Sequence, residues 1–73
     1  MRLVVKKLLS EERIILDVNI SDSVDSVKQI IQNIKGIPFN KLQLVFEMNL
    51  LENGQTLAYY HLKDGYAIYY FIE

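Results

Sequence analysis

Seventy-three residues with eight basic and nine acidic side chains, a formal charge of −1 and no cysteine make one small domain, residues 1–73, without a disulfide staple, a thiol nucleophile or a cysteine-held metal. The interspersed charges give no steering towards phosphate backbones, so no nucleic-acid partner is expected. Half the residues are hydrophobic and only one is proline, which sets the chain apart from disordered sequences; no apolar run approaches the roughly 18 residues of a bilayer span, so no membrane partner is expected either.

The chain opens with an alternating stretch within Met1–Leu9, Met1, Leu3 and Val5 on one side and Arg2, Val4 and Lys6 on the other, which predicts a strand with one buried face. Arg2, Lys6 and Lys7 form a small basic cluster, read either as a charged strand face or as a docking patch for an acidic protein segment. Ser10–Arg13 is turn-like, and Ile14, Leu16 and Val18 then alternate with Ile15, Asp17 and Asn19 as a second strand. The two make a hairpin whose register is not fixed by any glycine or Asn-Gly pair.

Ser23–Pro38 carries a complete helix signature. Ser23 caps the first amides, Asp25 places negative charge in the first turn, and Val24, Val27, Ile31 and Ile34 recur at helical spacing. Gly36 supplies a left-handed stop and Pro38 forbids continuation, so the spacing predicts a helix over Val24–Lys35. Ile30 and Ile34, four residues apart, have two readings: core positions of a rotated helix, or a second apolar contact, for instance with another domain.

Leu42–Phe46 reads as a third strand, Glu47–Asn49 as a tight turn, Leu50–Leu51 as a very short strand, and Asn53-Gly54 as a further turn. Leu57–Leu62 suits one tight helical turn anchored by its two leucines. Tyr66–Ile72 is apolar or aromatic throughout, as a central strand is, and pairs in parallel with the first strand. Its inward set is Ile68, Tyr70 and Ile72; its outward set includes Tyr69 and Phe71. The order strand, strand, helix, strand, short strand, strand is an α+β, beta-grasp arrangement: a mixed sheet with one helix packed across one face.

These features, in order and spacing, resemble ubiquitin and the ubiquitin-like domain family over nearly the whole chain. The match runs through Met1–Lys6, Ser21-Asp22-Ser23-Val24, Val27-Lys28, Ile30-Ile31-Gln32, Gly36-Ile37-Pro38, Leu44-Val45-Phe46, Leu51-Glu52-Asn53-Gly54-Gln55-Thr56-Leu57 and Tyr60, with one extra residue in the first hairpin. The resemblance implies a non-enzymatic recognition domain that needs no cofactor. It implies an apolar binding patch at Leu8 or Leu9, Val45 and Phe71, with Tyr69 where the family has a histidine. Ubiquitin-pathway proteins are the implied partners, through a helix or small helical domain, and the implied location is intracellular, in cytoplasm or nucleus. Self-association or docking within a longer chain is the alternative use of the same face.

Departures from the family narrow these expectations. No Gly-Gly tail follows Glu73 in the given sequence, so a module of a longer protein is expected, a covalent modifier whose tail lies beyond Glu73 being the alternative. Asn49 and Asp64 stand where the family's main chain-linking lysines do, although Lys6 and Lys28 keep lysine positions. Gln43, Asn49 and Glu73 thin the basic rim of the patch. His61 has no partner set for hydrolysis and reads as a turn residue with a local hydrogen bond; Asp22 and Asp25 read as helix-start residues rather than a metal site.

Overall fold

The computed structural model describes residues 1–73. Five strands, β1 (Arg2–Lys7), β2 (Arg13–Asp17), β3 (Leu42–Phe46), β4 (Asn49–Leu50) and β5 (Ala67–Ile72), form one mixed sheet in the order β2-β1-β5-β3-β4. β5 is central, parallel to β1 and antiparallel to β3. The hairpin register left open by the sequence is Leu3 opposite Leu16 and Val5 opposite Ile14. All four of these side chains thereby share one face.

α1 (Val24–Lys35) crosses that face. The Ser23 hydroxyl accepts from the Ser26 amide at 3.1 Å, and Gly36, at φ 73°, donates its amide to Gln32 O at 2.8 Å. The helix therefore has both end signals that its sequence announced. Its start is further held by Val24 N–H to Gln55 O (2.9 Å), Leu57 N–H to Asp22 O (2.9 Å) and the Gly54 amide donating to Asp25 Oδ1. Asp22 accepts from the Asn19 amide at 3.0 Å, so both carboxylates organise the helix entry, as read from the sequence.

The core gathers Leu3, Val5, Leu16, Val18, Leu42, Leu44, Ile68 and Tyr70 beneath Val24, Val27 and Ile31, with Leu51, Leu57 and Leu62 closing the side. Two inward assignments need correction. Ile34 is exposed and Lys28 takes the buried position on the helix instead. The last turn of α1 leans on a 3₁₀ turn at Phe39–Lys41, where the Phe39 amide donates to Gln32 Oε1 at 2.7 Å, so that contact is made through Gln32. Ile72 has inward parity but lies at the end of β5, opposite Leu42, the first residue of β3, and is left about half exposed.

The short fourth strand begins one residue earlier than the sequence suggested, at Asn49. Glu47 and Met48, at φ 50° and 71°, make a two-residue loop that pairs Phe46 with Asn49 at once. Positive φ at both central positions is the geometry that matches the strand twist. Leu57 and Leu62 are buried on either side of a 3₁₀ turn at Ala58–Tyr60, as expected.

Candidate apolar recognition face

The side chains alternating with the core set lie on the sheet face away from α1. Register places Lys6, Tyr69, Val45 and Leu50 in one row across β1, β5, β3 and β4, with Phe71 and Gln43 side by side in the next row. Leu8 continues the parallel ladder by donating its amide to Tyr70 O at 2.9 Å, which aligns it with that second row. Leu8, Phe71, Tyr69, Val45 and Leu50 thus form a contiguous apolar surface drawn from four chain segments. Tyr69 is 39% and Leu50 55% exposed, whereas Val45 and Phe71 are half-buried by their neighbours. The rim carries charges of both signs: Lys6 stands beside Tyr69, the Gln43 side chain donates to Glu73 Oε1 at 3.0 Å, and Asn49 donates to Glu47 O at 3.2 Å.

Leu8 and Leu9 separate clearly. Leu8 is anchored to β5, while Leu9 sits at φ 60° in the hairpin turn with its side chain 99% exposed. Met48 has the same combination at the opposite end of the sheet, φ 71° and 97% exposure. Left-handed backbone is costly for such residues, and no packing in the domain offsets it. Leu50 and Met48 were not singled out by sequence reasoning. Moving the short strand by one residue gives Leu50 outward parity, and the two-residue loop it follows was the missed signal.

Ile30 and Ile34 differ in exposure on the helix. Ile30 is half-buried against the core, and Ile34 alone remains exposed. The basic cluster is also divided. Arg2 and Lys6 have outward parity, whereas Lys7 has the parity of Leu3 and Val5 and lies 3.9 Å from Glu12.

Lys28 is the one buried charged residue. Burial holds its ammonium below the ordinary lysine value of 10.5, with Asp25 and Glu73 pulling the other way. Its nitrogen lies 5.6 Å from the centre of the Phe39 ring. Burial likewise raises the Tyr70 phenol above 10.0, with a further push from Glu12.

Beside the lower end of β5, Phe46 and Tyr66 stack with centroids 5.8 Å apart, and the Tyr60 hydroxyl accepts from the Glu52 amide at 2.7 Å. His61 closes the 3₁₀ turn at φ 59°, its backbone amide donating to Ala58 O at 3.0 Å, so the local hydrogen bond is the backbone's. No three metal-ligating side chains come together, and no helix is long and apolar enough to cross a membrane.

A five-stranded mixed sheet with one capped helix packed across it is the architecture that the sequence resemblance implied. A family model described as the Ubiquitin family matches residues 3–73, from the first inward leucine of β1 to the residue after β5. The chain belongs to the ubiquitin family.

Proposed function

We propose that this domain is a non-enzymatic recognition module, part of a longer intracellular protein, that binds ubiquitin-pathway proteins through Leu8, Val45, Leu50, Tyr69 and Phe71. The observation that carries this reading is the contiguous outward face: five apolar side chains on adjacent strands, with no element of the domain covering them. A rigid sheet loses little entropy when such a face is covered, and Tyr69 and Phe71 offer large anchors for a partner's apolar helix surface. The exposed side chains of Leu9 and Met48 lie in the turns at the two ends of the sheet, within reach of a partner that extends past the central rows. Cytoplasm and nucleus are the compartments in which these partners operate.

The rim of mixed charge, with Glu73 and Glu47 as well as Lys6, favours partners that use apolar contacts over those that select a basic border. The test is an NMR titration of the labelled domain with small helical domains that bind ubiquitin. A Val45→Ala, Phe71→Ala double variant is expected to lose at least about tenfold in affinity while keeping a dispersed spectrum. Unchanged binding by that folded variant, or wild-type shifts confined to α1, sinks the assignment of the face.

A further inference from the structure

We propose that the β2 edge is a self-complementary interface through which two copies of this chain join their sheets, Ile15 lying opposite Ile15 of the partner. The argument begins with the backbone. In the β1–β2 ladder Val18 donates to Met1 O at 2.9 Å, the Met1 ammonium to Val18 O at 2.8 Å, and Lys7 to Glu12 O at 3.0 Å. Even-numbered residues of β2 therefore turn their amides and carbonyls towards β1, and Arg13, Ile15 and Asp17 turn theirs off the open edge. β2 terminates the sheet, so these three donors and three acceptors have no strand beyond them.

Edge strands are normally blunted by proline, a bulge, lysine or an inward charge. β2, Arg-Ile-Ile-Leu-Asp, has none of these and carries an exposed isoleucine at its centre. Antiparallel pairing about Ile15 uses all three outward residues. Ile15 exchanges two hydrogen bonds with its counterpart, and each Arg13 exchanges two with the opposite Asp17, so every open amide and carbonyl of Arg13, Ile15 and Asp17 is satisfied.

The side chains select the same register. With Ile15 opposite itself, Arg13 faces Asp17 twice, and opposite charges directly across an antiparallel pair are favourable. Slipping by two residues in one direction sets Asp17 against Glu11, and in the other sets Ile15 against Asp17. Slipping by four sets Arg13 against Arg13 or Asp17 against Asp17. Arg13 has no ion-pair partner within the domain, and the Asp17 carboxylate is 3.6 Å from the Met1 ammonium but almost fully exposed.

Packing agrees on both faces. Val4 lies opposite Ile15 in the domain, so pairing creates one outer row of Val4, Ile15, Ile15 and Val4. On the inner face the half-buried Ile14 is covered by Leu16 of the second copy. The two-fold axis is perpendicular to the joined sheet, which puts both helices on one side and both recognition faces on the other. The two β5 strands then stand roughly 24 Å apart, five strand spacings. A bivalent partner could engage both faces at once and gain avidity. Two five-residue edges bury less than a standard interface, so the association is weak and concentration-dependent.

Charge reversal tests this arrangement. Sedimentation equilibrium from about 20 μM to 2 mM is expected to show the 8.5 kDa chain moving towards twice that mass. Hydrogen exchange at the Arg13, Ile15 and Asp17 amides should slow in parallel. Arg13→Asp and Asp17→Arg should each weaken association at least about tenfold, by opposing like charges across the pair. Mixing these two variants restores both Arg–Asp pairs between unlike chains and should recover the heavier species. A wild-type chain that stays monomeric at 2 mM overturns the proposal, as does a mixture that stays monomeric or a single reversal that leaves association unchanged. Circular dichroism of each variant distinguishes lost pairing from lost folding.

Discussion

The two faces of this sheet are made of similar residues with opposite fates. Leu44 is fully buried beneath α1, while the next residue, Val45, is half open on the other side; Tyr70 is buried, while Tyr69 is 39% exposed. Alternation along a strand assigns each side chain to a face, but hydrophobicity does not say which face is covered. The helix decides that. One face is closed by the helix, and the other is left open.

Truncating adjacent residues separates these roles most sharply. Leu44→Ala should cost about 3 kcal/mol, because it empties a site enclosed on all sides. Val45→Ala should cost less than about 1 kcal/mol, since solvent already reaches that side chain. Urea unfolding of both variants checks the difference. Equal losses would mean that the outer face is as structural as the inner one.

Much of this contrast was legible in the sequence. The period-two pattern of Leu3 and Val5 and the helical spacing of Val24, Val27 and Ile31 marked the core, and continuous apolarity marked β5 as central. The same parity placed Val45, Tyr69 and Phe71 outward. Legibility failed where a turn sets the register without its usual residues. Leu9, Glu47 and Met48 occupy left-handed backbone that glycine or asparagine would have advertised. That is why the choice between Leu8 and Leu9 stayed open and Leu50 was missed. Ile34 was read as part of the buried stripe because a helical pattern gives an angle but not the point at which the helix leaves the sheet.

The helix that covers the inner face depends on its cap. Ser23→Ala removes the acceptor for the Ser26 amide and should destabilise the domain by about 1 kcal/mol. Ser23→Asp should retain most of that stability, because the acceptor and the favourable charge at the helix start are both kept. Thermal melts of the pair measure the difference. If Ser23→Ala were neutral, the ties from Gln55 and Asp22 alone would be holding the helix start.

Glycine at the strained turns probes the outer face from its ends. Met48→Gly relieves a positive φ where the side chain has no packing to lose, and should raise stability by about 0.5 kcal/mol. Under the recognition role it should also weaken partner binding. Leu9→Gly should behave in the same way. Greater stability with unchanged affinity would remove both residues from the recognition surface while leaving the central row intact.

The smallest effect expected is electrostatic and belongs to the inner face. Lys28 has a folded value below the ordinary 10.5, so between the two values the unfolded chain binds more protons and stability rises with pH. Tyr70 has a folded value above the ordinary 10.0, so above that value the unfolded chain loses its proton first and stability falls. Denaturation midpoints should therefore gain from Lys28 as pH rises towards 10.5 and lose from Tyr70 above 10.0, with the two windows overlapping between those values. Lys28→Met should flatten the rise, and Tyr70→Phe should delay the fall. The two changes are told apart by sign, because one group is uncharged by losing a proton and the other by keeping it. A profile whose rise survives Lys28→Met would place the alkaline stabilisation elsewhere and leave the Lys28 ammonium effectively solvated, its side-chain stem covering the core while its charge remains in water.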